Sequence, residues 1–187
     1  MSSSSETSGS ASTSDPSRIT LLCLDVDGVL TDGSILIDSS GGELKRFHVR
    51  DGLAIKAWQK QGNHVAVITG RGCEALRRRM SELGVEIVLE HVSDKGESIR
   101  QVQRQLSISA EDTAFMGDDL ADLPAFEHCG YSMAPADADE VVRERATWVA
   151  KRPGGQAAVR EAIEHLLRSR GAWDEVVARH LASGNLT

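Results

Sequence analysis

The chain has 187 residues, with 28 acidic and 21 basic side chains and a net charge of −7. That length fits one domain with a core of ordinary size, the acidic balance excludes the basic footprint of a nucleic-acid binder, and no apolar run approaches the roughly 20 residues of a membrane span. No basic-then-apolar N-terminus marks the chain for export, and Cys23, Cys73 and Cys129 are too scattered for a ligand cluster or a disulfide set, so the expected compartment is the cytoplasm.

Met1 to Ser17 is rich in Ser, Thr, Gly and Ala and has no apolar anchor, so it is expected to be a disordered leader before a single domain over 18–187. Ile19 to Asp25 reads as a buried strand. Ile35 to Ile37 and Glu43 to Val49 predict two short strands around Ser39-Ser40-Gly41-Gly42, a hairpin within 33–49. Gly52 to Gln61 predicts a helix, His64 to Thr69 a second buried strand, and Cys73 to Leu83 a basic helix stopped by Gly84. A strand over Val85 to Leu89, a helix over Lys95 to Leu106 and a strand over Thr113 to Met116 follow. Then come a helix over Ala121 to His128, a strand over Tyr131 to Ala134, a helix over Asp139 to Arg145 and an edge strand over Thr147 to Ala150. Gly154-Gly155 reads as a hinge before two last helices, Gln156 to Arg168 and Trp173 to Ala182. Strands alternating with helices of about ten residues define an α/β fold, a parallel sheet with helices on both faces.

In such folds ligands sit outside the carboxyl ends of the strands. The first strand ends in Asp25-Val26-Asp27-Gly28 and the second in Thr69-Gly70-Arg71; Ser93-Asp94-Lys95 follows the third, and Gly117-Asp118-Asp119, with Asp122 beyond, follows the fourth. Crowded carboxylates raise one another's pKa, and a hard divalent cation relieves them, so the crevice reads as a Mg2+ site. A carboxylate there can attack phosphorus, and a second carboxyl two residues on can move the proton. Thr69 and Lys95 are suited to hold the phosphate. The EF-hand reading of Asp-x-Asp-Gly fails, because Val29, Leu30 and Leu36 stand where ligands and a glycine are needed.

Asp25-x-Asp27-Gly28, Thr69, Lys95 and Gly117-Asp118-Asp119 together resemble the four motifs of the haloacid dehalogenase-like phosphatases. The resemblance implies Asp25 as nucleophile, Asp27 as general acid/base, and Thr69 and Lys95 as phosphoryl ligands. It implies Mg2+ on the Asp25 carboxylate, the Asp27 carbonyl and Asp118, with Asp119 and Asp122 acting through water or standing behind the ligands. Only about forty residues separate Asp27 from Thr69, too few for the cap domain of most relatives. "DVDGVLTDG", "FHVRDGLAIK", "ITGR", "GDDLADLP" and "GGQAAVRE" resemble the capless 3-deoxy-D-manno-octulosonate 8-phosphate phosphatases. That likeness implies a homotetramer built through the hairpins, with a neighbouring subunit closing each site, and a product destined for lipopolysaccharide.

Gln156-Ala157 stands where these relatives carry Arg-Gly, and Glu90-His91 where they carry Gln-Gly. A sister group cleaving nine-carbon sugar-acid 9-phosphates is the alternative; Arg71 after Thr69-Gly70 favours the octulosonate enzymes. A non-catalytic scaffold of the same fold is the second alternative, and the complete motif set speaks against it. Gly70, Arg71, Arg50 and Asp51 are the further substrate-site candidates, with Arg71 suited to a carboxylate and Asp51 equally suited to capping a helix. Arg77, Arg78 and Arg79 read mostly as a solvated face.

Overall fold

The computed structural model describes residues 14–183. The chain runs β1 (Leu21–Leu24), β2 (Leu36–Ile37), β3 (Glu43–Leu44), α1 (Val49–Lys60), β4 (His64–Ile68), α2 (Glu74–Leu83), β5 (Ile87–Leu89) and α3 (Lys95–Leu106). It continues through β6 (Thr113–Met116), α4 (Leu123–Phe126), β7 (Tyr131–Ala134), α5 (Glu140–Arg145), β8 (Trp148–Val149), α6 (Ala158–Ser169) and α7 (Trp173–Ser183). Six strands form one parallel sheet in the order β5-β4-β1-β6-β7-β8. β2 and β3 pair antiparallel, apart from it.

The apolar run of β1 is continuous because both faces of the sheet are covered. Leu22 and Leu24 pack with Ile55 and Trp58 of α1 and Ile163 and Leu166 of α6. Leu21 and Cys23, pointing the other way, meet Ile99 and Val102 of α3 and Phe126 of α4. β1 lies between β4 and β6, so the chain winds outward to β5, then returns across β1 to build the other half. That reversal leaves a crevice at the carboxyl ends of β1, β4 and β6, the place such sheets offer a ligand.

The boundaries differ from expectation where local chemistry was misleading. The second hairpin strand stops at Leu44, and Val49 opens α1 three residues before the predicted start. His48, not Asp51, caps that helix, its Nδ1 accepting from the Arg50 N–H at 3.2 Å. The helix predicted from Ala121 splits into a 3-10 turn, Leu120–Asp122, and the short α4, with Pro124 near the break. Pro16–Arg18 forms a 3-10 turn capped by Asp15, so the expected leader ends earlier than Ser17; its residues 1–13 lie outside the described ones. Gly154-Gly155 is no hinge. The Gly155 N–H donates to the Val29 carbonyl at 3.1 Å, and a Cβ on Gly154 would fall 1.7 Å from the Gly28 carbonyl oxygen. The pair is a close backbone contact that pins the start of α6 to the loop after β1.

Candidate active site

The loop after β1 is drawn tight by its own backbone. The Asp25 N–H donates to the Met116 carbonyl at 3.0 Å, carrying the sheet ladder one residue past β1. The N–H groups of Val29, Leu30 and Thr31 then all turn back to the Val26 carbonyl, at 3.3, 2.9 and 3.0 Å. Gly28 sits inside this turn at φ +85°, and a Cβ there would stand 1.9 Å from an Asp118 carboxylate oxygen. A glycine is needed on both counts: for the left-handed backbone, and so that the β6 loop can approach the β1 loop.

Three carboxylates and one ammonium meet in the crevice. Lys95, the first residue of α3, extends Nζ to Asp25 Oδ1 at 2.9 Å and to Asp122 Oδ1 at 2.5 Å. Asp122, fully buried, also accepts from the N–H groups of Asp118 and Asp119 on Oδ2, at 2.9 and 3.2 Å. Ligand oxygens of Asp25, Asp118 and Asp122 lie within 4.8 Å of one another. Burial, reinforced by the Asp122 charge and offset by Lys95, pushes the Asp25 carboxyl up to about 6. Burial, then Asp122 and Asp25, pushes Asp118 up to about 8. Burial would depress Lys95, but its two carboxylates outweigh that and hold its pKa above the ordinary value.

This donor set fits a divalent cation. The buried Asp118 Oδ1 has no hydrogen-bond partner among the described residues, and three carboxylates against one ammonium leave negative charge uncompensated. Both oxygens of Asp122 are already engaged by Lys95 and two N–H groups, so it braces the others. Asp119, expected among the metal residues, is exposed, and its Oδ1 caps the Leu120 N–H at 2.7 Å. Its carboxylate lies outside the cluster, because the 3-10 turn brings Asp122 inward in its place.

Thr69 stands buried at the end of β4, its Oγ1 accepting from the Arg71 N–H at 3.2 Å. Thr69, Gly70, Arg71 and Lys95 line a cavity of about 310 Å³ together with Asp25, Asp27 and the Asp118–Asp122 loop. The Asp27 carboxylate turns from the cluster toward Lys45, whose Nζ it pairs with through Oδ1, while its buried Oδ2 makes no hydrogen bond among the described residues. Lys45 is the residue that the sequence reading missed. The available signal was Glu43-Leu44-Lys45, an alternation that puts two charges on one face of a strand.

Arg50 and Asp51 are not brought to this crevice. The earlier start of α1 turns Asp51 inward beneath α6, where Oδ1 accepts the Arg160 N–H at 2.7 Å. Burial raises its pKa to about 6 against the pull of that N–H and of Arg152, Arg160 and Arg79. Arg50 is exposed and lines a separate cavity with Lys151, Arg152 and Arg160. Arg77 pairs with Glu90 at 2.9 Å and Arg79 with Glu82 at 3.2 Å, so that helix face is satisfied locally.

A parallel α/β sheet with paired aspartates after its central strand, and a lysine and further aspartates at the neighbouring strand ends, defines a class. Residues 85–163 match the family model described as haloacid dehalogenase-like hydrolase. The curated 3-deoxy-D-manno-octulosonate 8-phosphate phosphatase of Haemophilus influenzae is 41% identical over 154 residues, 82% of this chain and 86% of that protein. The Escherichia coli K12 enzyme is 41% identical over 158 residues, 84% of each chain. The chain belongs to the 3-deoxy-D-manno-octulosonate 8-phosphate phosphatase family. Its fold matches the Moraxella catarrhalis phosphatase solved with magnesium ion, phosphate ion and KDO, with a TM-score of 0.87 and 34% identity over 89% of this chain and 95% of that one. The cobalt-bound Haemophilus influenzae enzyme matches with a TM-score of 0.83 and 40% identity over 85% of this chain and 93% of that one.

Proposed function

We propose that this protein is a Mg2+-dependent phosphatase that hydrolyses 3-deoxy-D-manno-octulosonate 8-phosphate to the free sugar acid and phosphate. The observation that carries this reading is the Lys95 ammonium bridging Asp25 and Asp122 opposite Asp118, in a chain 41% identical to named phosphatases of that substrate. Asp25 and Asp118 would hold the ion with the Asp27 carbonyl, and Asp119 would reach it only through water. Bound Mg2+ supplies charge compensation for the carboxylates and the phosphoryl oxygens.

The chain's own groups account for the rest. Thr69 and Lys95 seat the phosphoryl group in line with Asp25. The Asp25 carboxylate attacks phosphorus; the bond to the sugar oxygen breaks, and Asp27, ionised in the resting site and protonated in the substrate complex, delivers the proton that oxygen needs. Asp27 lines the same cavity, and its Oδ2 makes no hydrogen bond among the described residues. Asp27, now anionic, takes a proton from the water that attacks the aspartyl phosphate, and Asp25 is regenerated. Arg71, half-exposed at the cavity mouth, offers its planar fork to the substrate carboxylate.

Ile35, Leu36, Ile37 and Leu44 leave the hairpin 50–69% exposed, an apolar surface that a neighbouring subunit would cover. The assembly we propose is a homotetramer through this element, in the cytoplasm, supplying sugar acid for lipopolysaccharide; no described helix is long and apolar enough to cross a membrane. Phosphate release from eight-carbon and nine-carbon sugar-acid phosphates, with Mg2+ and with chelator, tests the activity. Preference for the nine-carbon ester would move the protein to the sister activity, and no Mg2+-dependent release from any ester would make it a scaffold. Sedimentation showing a fully active single chain would refute the tetramer.

A further inference from the structure

The hairpin does more than project from the fold. Along β3 and the two residues after it the side chains alternate: Leu44 and Arg46 are exposed, while Glu43 and Lys45 turn back to the crevice, where they meet Arg71 and Asp27. Lys45 is the extreme case, with a side chain only 2% exposed although the backbone beside it is at the surface. A buried ammonium needs partners, and it has two: Asp27 Oδ1, and Glu43 Oε1 at 3.2 Å. Glu43 in turn accepts from Arg71 Nη2 on Oε2 at 3.4 Å, and Arg71 Nε stands 3.8 Å from Asp27 Oδ2. The four groups therefore form a closed ring, Asp27–Lys45–Glu43–Arg71, of alternating charge and zero net charge. Two members come from strand-end loops and two from the hairpin.

We propose that this ring makes the hairpin a working part of the site: Glu43 is a positioning residue for Arg71, and Lys45 a positioning residue for Asp27. The inference rests on the reading of the site as a sugar-acid phosphatase and assigns Glu43 to recognition of the sugar acid. Arg71 has a half-exposed side chain and would otherwise sample many rotamers. Glu43 fixes one edge of its guanidinium. Nη1 makes no hydrogen bond among the described residues and is left for a carboxylate arriving from the cavity. Lys45 ties Glu43 and Asp27 to one another, so a shift of the hairpin is felt at both the recognition end and the proton-transfer end. The capless fold lacks a domain to do this, and two side chains of one hairpin arm take its place.

The two positioning roles separate in kinetics. Glu43→Gln should raise KM for the eight-carbon substrate about tenfold, the scale of a lost charge-assisted contact, and lower its kcat/KM relative to that for p-nitrophenyl phosphate. In an Arg71→Ala background the same change should have no further effect on that ratio, because the group being positioned is gone. Lys45→Met should lower kcat for both esters alike, and Lys45→Arg should recover part of the loss. Arg46→Gln, on the outward side of the same hairpin arm, controls for damage to the hairpin and should leave the ratio unchanged. A Glu43→Gln effect that persists undiminished without Arg71, or no effect at all, overturns the proposal.

A second readout does not depend on the substrate. The Arg71 Nη2–H signal in nitrogen-15 NMR should be protected from solvent exchange in the wild type and lose that protection in Glu43→Gln. Identical exchange in the two proteins overturns the ring. Wild-type protein that shows this protection but no selectivity for any sugar-acid phosphate would instead overturn the substrate reading, leaving the ring in place.

Discussion

Two charged groups share the crevice and are built in opposite ways. The Asp25–Lys95–Asp122–Asp118 cluster stands on strand ends and a helix start, largely buried, with three carboxylates to one ammonium. The Asp27–Lys45–Glu43–Arg71 ring is electrically balanced, stands on loops and a two-residue strand, and opens to solvent on the Arg71 side. The first is incomplete without a cation and is held rigid so that charges converge on one point. The second is complete as it stands and needs only to yield an edge to a ligand. Bond breaking belongs with the rigid, unbalanced group, where fixed dipoles cost nothing to reorganise. Discrimination belongs with the balanced, movable one.

The largest break in this comparison comes from Asp25→Asn. The side chain keeps its shape and its place beside Lys95 but loses the attacking anion, and kcat should fall by at least ~10³-fold. The ring is untouched, so binding of the free sugar acid, read by calorimetry, should survive. Gly28→Ala comes next. Its Cβ would stand 1.9 Å from Asp118 at a φ of +85°. Asp118 must move, and a misplacement of that size should cost about a hundredfold in kcat. The strain should also cost about 1–3 kcal/mol in stability, measured by urea unfolding.

Most of the rigid group was readable from the sequence, and most of the ring was not. Strands covered on both faces announce themselves as apolar runs, and such a run ending in Asp25 and Asp27, in Thr69 or in Gly117-Asp118-Asp119 marks the crevice wherever the sheet order puts it. α3, β6 and β7 lie where their patterns predict. Glu43-Leu44-Lys45 alternates, but a hairpin of two paired residues per strand gives that periodicity too little length to show which face turns inward, so Lys45 went unread. Asp119 and Asp122 could be ranked only once the 3-10 turn was known, since an α-helix from Ala121 would have placed them differently. α1 was mistimed because its cap is a histidine, outside the usual Ser, Thr, Asp and Asn set.

A smaller effect separates the two groups by pH. Asp118 and Asp25 have folded-state pKa values of about 8 and about 6, above the ordinary 3.8. The folded protein therefore holds protons that the unfolded chain has released, and stability falls as pH rises from about 4 toward 8. A cation favours the ionised forms and should cancel that slope. Thermal melts in chelator should show Tm declining across this window, and added Mg2+ should raise Tm most at its upper end. In Asp118→Asn the decline should be shallower and the Mg2+ effect smaller. A Mg2+ effect on Tm independent of pH would mean that the ion binds elsewhere.

The smallest predicted effect asks whether Asp51 belongs to either group. It is buried beneath α6, bonded to the Arg160 N–H, with its other oxygen making no hydrogen bond among the described residues. Its pKa of about 6 again exceeds the ordinary 3.8, so ionising it costs stability progressively as pH rises through that interval and adds nothing further above it. Asparagine can accept the same N–H without carrying a charge. Asp51→Asn should therefore match the wild type at pH 4 and melt about 2–4 °C higher at pH 7. Alanine removes the acceptor, leaves the Arg160 N–H unsatisfied, and should cost about 1–3 kcal/mol at either pH. Neither change should alter the ratio of kcat/KM between the eight-carbon substrate and p-nitrophenyl phosphate, because the path from Asp51 leads to the α1–α6 contact and not to Arg71. A fall in that ratio with normal stability would place Asp51 at a substrate after all, and the only route open to it would be the crevice of a neighbouring chain.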